Sequence, residues 1–496
     1  MRLLRERHRR EIAIDPAIWC RSFAGRPVEF IGEIVGQSWW SDDWKAWRVF
    51  IKALFGVAIT DPEELTIFRE CTGLIEQPTG IQREAWMPIG RRGGKSRILA
   101  FIAIYLAVCF DWRPYLSPGE RGYISILAAF RDQAQTIIGY VTAAFLDHPT
   151  LSRLLIGQPA AESVSISGSV VIRVATASFR AVRSSTTIAA LCDEIAFWRT
   201  EDTSANPDRE ILEALKPSML TIPNSMLFGA SSPYARRGVL WEAYDQHYGA
   251  AKYQRGAPLV WKAPTWVMHP SIDRKEIDEK YEADPLSAAA EYGAEFRSDI
   301  AAFVDMDVVK ALVSRSVHEI PPLPGVRYAA FCDPSGGMVD SMTLAIAHRD
   351  RNNRGVLDCV RERRPPFSPD DVVIEFTALL KSYGLNSVKG DRYGGDWPAS
   401  RFREHGIVYE HSELTKVDVY REAIPILNAA RVELLDNRRL VDQICSLERR
   451  TARGGRDSID HPPGQHDDLA NAALGAIVEV VGVMDPVTAM IRAMGH

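Results

Sequence analysis

The chain has 496 residues, which at roughly 100–200 residues per domain corresponds to two or three domains. Hydrophobic residues at 46% and charged residues at 25% exclude a mainly disordered chain, a collagen-like chain and a membrane bundle. A formal net charge of −5 gives no global sign of a nucleic-acid partner.

The first ten residues, MRLLRERHRR, carry charge throughout with no apolar core behind them. They predict a solvated basic helix rather than a signal peptide. Helical patterning continues to about residue 80 and includes a Trp-rich stretch, Trp39 to Trp47. From roughly 84 to 232 short apolar strands alternate with helices, the pattern of a parallel α/β sheet. The expected strands are Trp86–Ile89, Tyr123–Ala128, Val170–Ala175, Thr187–Cys192 and Ser225–Ala230. The apolar run Leu99 to Phe110 is too short to span a bilayer and predicts a buried helix. Seven cysteines with no Cys-x-x-Cys pair predict reduced thiols in a cytosol.

A Pro/Gly cluster, Pro321-Pro322-Leu323-Pro324-Gly325, marks a boundary. Beyond it Tyr328–Asp333, Met342–His348 and Val356–Arg361 predict three consecutive strands. A helix capped by Ser368 and running to about Tyr383 comes next, then a strand at Asn386–Asp391. A helix near Pro398–His405, a strand at Ile407–Glu410 and a closing apolar helix, Leu469 to Val481, follow. Three strands and then alternating helix and strand is the element order of the RNase H-like fold.

Two groups of residues carry chemistry. The first is Gly90-Arg91-Arg92-Gly93-Gly94-Lys95-Ser96, between a strand and the apolar helix. It departs from the usual G-x-x-x-x-G-K-[ST] loop because position 89 is Ile, so its first glycine comes one residue late. Small residues still let backbone N–H groups wrap phosphates at a helix N-terminus. The chain has 12 Lys against 47 Arg, and Lys95 is the one lysine between Lys52 and Lys216. Lys95 is placed to reach the β- and γ-phosphates, and Ser96 to bind Mg2+. The partner strand, Thr187 to Cys192, ends in Asp193 and Glu194, which suit a metal and an attacking water. Arg91 and Arg92 are either charge stabilisers for the γ-phosphate or solvated cations. Ser231 and Ser232, at the end of the last strand of this group, either sense the γ-phosphate or close a Ser-Pro turn.

The second group is dispersed. Asp333 ends one expected strand, Asp391 ends another, and Asp467 and Asp468 open the last helix. An RNase H-like topology brings those three places to one sheet edge. Carboxylates gathered there require divalent cations, and hard oxygen ligands favour Mg2+ or Mn2+, in a two-ion phosphodiester hydrolysis. One of Asp467 and Asp468 is expected to be the helix N-cap. Asp340, Asp457, Asp460 and His461 are nearby acids and a histidine expected to be mostly structural.

These residues resemble the large terminase subunit of tailed bacteriophages and gene transfer particles. The resemblance runs from about 50 to 480 and is carried by GRRGGKSR at 90–97, LAAFRDQAQ at 127–135, ALCDEIAFW at 190–198, FGASSP at 228–233, CDPSGGMVDSMTLAIAH at 332–348 and IDHPPGQHDDLANAALG at 459–475. The late first glycine and paired arginines look like this family's own variant of the loop. The implied fold is α/β throughout: an N-terminal P-loop ATPase domain of the RecA-like (ASCE) class and a C-terminal RNase H-like nuclease domain. The implied boundaries are a helical segment at 1–50, a motor at 51–265, a bridging segment at 266–325, a nuclease at 326–482 and a tail at 483–496.

The resemblance implies a motor that pumps double-stranded DNA into a procapsid and cuts the concatemer, with ATP and Mg2+ in the motor. Lys95 and Ser96 would bind ATP and Mg2+, Asp193 would complete the metal site, and Glu194 would activate water. Ser231 and Ser232 match the coupling motif, and Arg91 or Arg92 matches an arginine of the ATP site. Gln82 or Gln77 matches the glutamine that contacts adenine. Asp333, Asp391 and one or both of Asp467 and Asp468 match the nuclease's metal-binding acids. The implied partners are DNA, a small terminase subunit and the portal, with assembly as a ring on the portal from a chain often monomeric in solution. The implied setting is the host cytoplasm. The competing readings are a helicase-like DNA-dependent ATPase and a DNA- and portal-binding assembly component with a degenerate nuclease.

Overall fold

The computed structural model describes residues 15–129, 131–176, 185–198, 207–251, 253–391, 397–451, 457–462 and 465–482. The basic decamer and the tail at 483–496 lie outside them. The chain divides into two compact units, Met1–Ser298 and Asp299–His496. The expected bridging segment is shared between them. Its helices Arg274–Ala283 and Pro285–Glu291 belong to the first unit, and its strands Ile300–Ala302 and Val313–Ser314 to the second. The expected start of the motor at residue 51 falls inside one helix, Lys45–Phe55. No helix among the described residues is long and apolar enough to cross a membrane.

The first unit is built on a seven-stranded sheet. In chain order the strands are β1 Glu84–Pro88, β2 Gly122–Ala128, β3 Ser163–Ile166, β4 Val170–Thr176, β5 Thr186–Asp193, β6 Met226–Ser231 and β7 Leu259–Val260. Their spatial order is β3-β4-β2-β5-β6-β1-β7. All neighbours are parallel except the edge pair β3 and β4. β6 therefore lies between the loop-bearing strand β1 and the acid-ending strand β5, the arrangement of the RecA-like class. Five of these strands fall within about two residues of the sequence expectation; β3 and β7 have too little apolar pattern to be foreseen.

Pro88 is awkward in a central strand because it cannot donate to the ladder. Its carbonyl accepts from Ala263 N–H at 3.1 Å, so the missing donor faces the two-residue edge strand β7 and leaves the β1–β6 ladder intact. The helix Lys95–Cys109 is buried on nearly every side, which explains its all-round apolar sequence. The helix Lys45–Phe55 buries Trp47, Phe50, Ile51 and Leu54 in the same core. Each such side chain contributes about 1.5–3 kcal/mol on removal from water.

The second unit has a seven-stranded sheet and a three-stranded one. Its strands are β8 Ile300–Ala302, β9 Val313–Ser314, β10 Tyr328–Asp333, β11 Met342–Arg349, β12 Gly355–Arg363, β13 Ser387–Gly390, β14 Val408–His411, β15 Val432–Leu435, β16 Glu448–Thr451 and β17 Asp457–Asp460. The larger sheet runs β14-β13-β10-β11-β12-β15-β9. β10, β11 and β12 are antiparallel, and β13 and β14 run parallel to β10, the RNase H-like order. The last helix, Asp468–Val481, packs across β10, β11 and β12. Ser368 stands at the start of the helix Pro369–Ser382, but its side chain makes no capping bond.

Candidate functional site

In the first unit the loop 90–96, Asp193–Glu194 and Ser231–Ser232 all follow the carboxyl ends of adjacent parallel strands, where open α/β sheets bind ligands. The registers Pro88 with Ser231 and Asp193 with Ala230 bring these distant segments level. Lys95 Nζ donates to Ile89 O and to Ser232 Oγ, both at 3.1 Å, and lies 3.3 Å from Glu194 Oε1. Ser96 Oγ donates to Asp193 Oδ2 at 2.9 Å. Glu194 Oε2 accepts from Ser231 Oγ at 2.9 Å and from Ser232 N–H at 3.1 Å. Lys95, Ser96, Asp193, Glu194, Ser231 and Ser232 are thus brought together.

Two features of that network suit a metal-bound phosphate. Asp193 Oδ1 is buried and accepts no hydrogen bond, an acceptor left over where burial normally enforces pairing. Burial, and next the charge of Glu194, pushes the Asp193 carboxyl up to about 6, against the pull of Lys95 and Ser96. A divalent ion held by Ser96 and Asp193 would satisfy the orphan oxygen, so the donor set fits Mg2+. Glu194 sits at φ 48, ψ 44, a left-handed conformation costly for a non-glycine residue and common at working sites.

The two arginines separate. Arg91 pairs with Glu291 at 3.2 Å. Arg92, exposed and at φ 66, makes no ion pair with any described residue. Gln82 and Gln77 are not brought to the loop. Both precede β1 at its other end, Gln82 Nε2 donating to Gly80 O and Gln77 bonding the backbone of Ile59 and Val57. A strand's length of extended chain, about 3.3 Å per residue, separates Gln82 from the loop, so its expected place at the nucleotide is not supported.

In the second unit Asp333 ends β10, and Asp391 follows the adjacent parallel strand β13. Asn471, one turn into the last helix, donates through Nδ2 to Asp333 Oδ2 at 2.9 Å and to Asp391 Oδ2 at 2.7 Å. The helix comes this close because residue 475 is Gly: a Cβ there would lie 2.4 Å from the Phe331 ring. Burial, and then Asp391, holds the Asp333 carboxyl well above its usual range. Burial likewise raises Asp391.

Asp467 and Asp468 point to different partners, and neither side chain caps the helix. Asp467 stands at the N-cap position without a capping bond. Its carboxylate instead takes Tyr420 OH at 2.7 Å and Lys416 Nζ at 3.1 Å. Lys416 also binds Asp460 at 3.1 Å. Asp468 accepts from Ser341 N–H at 3.1 Å, and burial pushes its carboxyl up to about 6. Ligand atoms of Asp340, His466 and Asp468 lie within 4.8 Å of one another, and so do those of Asp460, His461 and Asp467. Lys416 already pairs with two acids of the second trio, Asp460 and Asp467. Asp333, Asp391 and Asp468 offer the hard oxygens that Mg2+ or Mn2+ takes.

Asn471, Lys416 and Tyr420 were not foreseen. The helical spacing of Asn471 from Asp467 and Asp468 was the available signal, since residues three and four apart share a face. For Lys416 and Tyr420, on the helix Lys416–Asn428, there was none.

No protein-family model and no curated protein matches the chain. Among solved structures, it is similar to the large terminase of bacteriophage HK97 at 16% identity, over 87% of this chain and 99% of that one, with a TM-score of 0.37. It is similar to the large terminase of the thermophilic bacteriophage D6E in complex with ATP-gamma-S at 11% identity, over 87% of this chain and 98% of that one, with a TM-score of 0.35. The large terminase nuclease of the thermophilic phage G20c with bound magnesium matches at 17% identity, over 35% of this chain and 96% of that one, with a TM-score of 0.31.

Proposed function

We propose that this chain is the ATPase-nuclease of a viral DNA-packaging machine. It would drive double-stranded DNA through a portal into a procapsid and cut concatemeric DNA with Mg2+ or Mn2+. The observation that carries this is the joining, in one chain, of the network Ser96–Asp193 and Lys95–Glu194–Ser232 with the carboxylates Asp333, Asp391 and Asp468 on an RNase H-like sheet.

Bound ATP with Mg2+ supplies the phosphoryl group to be transferred. Lys95 and the loop N–H groups would offset its negative charge, Ser96 and Asp193 would hold the ion, and Glu194 would accept the proton of an attacking water. Ser231 and Ser232, bonded to Glu194 and Lys95, would pass the state of the site to the rest of β6. Arg92, unlike Arg91, is free to act on developing charge. In the second unit Asp333, Asp391 and Asp468 would hold the ions, and Asn471 positions the first two. The partners in this proposal are DNA, a small terminase subunit, a portal and further copies of this chain in a ring, in a bacterial host's cytoplasm.

A second reading has one observation in its favour. Asn471 places an amide between two acids and takes up one oxygen of each by hydrogen bonding, which occupies positions a metal would use and suits an assembly component with a degenerate nuclease. Full-length protein, Lys95→Ala and Asp333→Asn decide between them in ATPase assays and in plasmid cleavage with Mg2+ and with Mn2+. The packaging enzyme requires wild-type activity in both assays, each variant losing one. Hydrolysis of ATP without cleavage under either ion favours the degenerate reading.

A further inference from the structure

The late glycine of the phosphate loop has a physical cause in the fold. Ile89 remains part of the sheet: it is buried, its N–H donates to Ser231 O at 3.0 Å, and it bridges to Ala263. Its carbonyl accepts from Lys95. The loop proper therefore begins at Gly90; the N–H groups of Gly90 and Arg91 donate to Ala263 O and Glu291 O, and two buried side chains grip its carbonyls. Thr265 Oγ1 donates to Arg91 O at 2.8 Å, and Trp47 Nε1 donates to Gly93 O at 2.8 Å. Thr265 is 0% exposed and Trp47 1%.

The glycines stand where these grips press. A Cβ at position 90 would lie 2.3 Å from Thr265 Oγ1. A Cβ at position 94 would lie 3.1 Å from Trp47 Nε1, on a backbone at φ +88. Loop and grips are thus fitted to each other across long separations in the chain.

The grips act on peptide orientation. A trans peptide is planar, with the C=O of one residue and the N–H of the next pointing in opposite directions. Holding Arg91 O against Thr265 turns the Arg92 N–H away from Thr265. Holding Gly93 O against Trp47 turns the Gly94 N–H away from Trp47. Neither N–H donates to an acceptor among the described residues.

We propose that Thr265 and Trp47 are positioning residues of the ATPase, fixing two loop peptides so that their N–H groups face the polyphosphate of a bound nucleoside triphosphate. This rests on the loop being the nucleotide site.

The test uses the full-length chain and measures binding of ATP and of inorganic tripolyphosphate, which meets only the phosphate-binding part, together with steady-state hydrolysis. Thr265→Val removes the hydroxyl at nearly constant volume, Thr265→Ser restores it, and Trp47→Phe removes the indole N–H. Thr265→Val and Trp47→Phe are each expected to weaken both ligands about tenfold, the effect of one lost hydrogen bond. KM should rise in step while kcat falls less than about threefold, as for lost ground-state binding. Thr265→Ser should stay within about twofold of wild type. Wild-type affinity for tripolyphosphate in both Thr265→Val and Trp47→Phe, even with a lowered melting temperature, would show that the grips only pack the core and overturn the proposal. If Trp47→Phe does not fold, the Thr265→Val and Thr265→Ser pair decides alone. Wild type binding neither ligand would defeat the nucleotide reading itself, and the proposal with it.

Discussion

In the first unit the loop site carries its own counter-charge, Lys95 lying 3.3 Å from Glu194 while Ser96 bonds Asp193. In the second unit Asp333 and Asp391 meet through a neutral amide, and the neighbouring cation Lys416 is engaged by Asp467 and Asp460. The same residue type is therefore treated differently in the two places. The loop site is nearly balanced without ligand and keeps one orphan oxygen, Asp193 Oδ1. In the carboxylate site burial pushes Asp333, Asp391 and Asp468 upward, as it does Asp193 in the loop site, while Lys416 pulls Asp391 the other way. The loop site holds a lysine within its network; the pair Asp333 and Asp391 shares an amide donor instead.

Breaking the loop network should have the largest effect. Lys95→Ala and Glu194→Gln are each expected to lower ATP hydrolysis by about 10²–10⁴-fold, with circular dichroism and plasmid cleavage unchanged. Loss of cleavage in these variants would mean that the two sites are not separate. Next in size, Asp333→Asn should reduce Mn2+-dependent plasmid cleavage by more than about 10²-fold and leave ATP hydrolysis intact. Cleavage at the wild-type rate would remove Asp333 from the metal site.

A smaller effect isolates Asn471. Asn471→Leu keeps the bulk but withdraws the shared donor, and should destabilise the metal-free chain by about 1–3 kcal/mol in urea unfolding. Mg2+ should recover most of that loss, because the ion takes over the donor's place between the acids. An unchanged midpoint in the variant would show that the bridge contributes nothing.

The smallest effect is on pH dependence. Asp193 and Asp468 have carboxyls pushed up to about 6, above the ordinary 3.8. The folded state then binds more protons than the unfolded one between those values. Its stability from these groups is fully present below about 4 and is lost as the pH rises through about 6. Mg2+ competes with those protons, so its thermal stabilisation should be larger at pH 7.5 than at pH 5 by about 2–4 °C, the shift that about 1 kcal/mol gives a unit of this size. An equal shift at both pH values would contradict the assignment of protonated acids.

Much of this was legible in the chain order alone. The strands β1, β2, β4, β5 and β6, and β10 to β14, follow from apolar runs ending in turn residues or acids. Lys95, Ser96, Asp193 and Glu194 announce themselves by type and spacing around those runs. Gln82 and Gln77 lie at the end of β1 away from the loop, a position that sequence spacing alone does not reveal. Asp467 stands at the N-cap position without a capping bond because its carboxylate meets Lys416 and Tyr420, about fifty residues earlier in the chain, which spacing does not reveal.

The sequence by itself determined the two α/β patterns, the phosphate-loop residues and the set of acids, because local periodicity and side-chain chemistry are encoded within short windows. The tertiary structure alone decided that Asn471 joins Asp333 to Asp391, that Lys416 and Tyr420 bond Asp467, and that Trp47 and Thr265 hold the loop. Those contacts span from 46 to 174 residues of chain. They arise only when parallel strands bring their carboxyl ends level and a helix packs close enough for one side chain to reach two others.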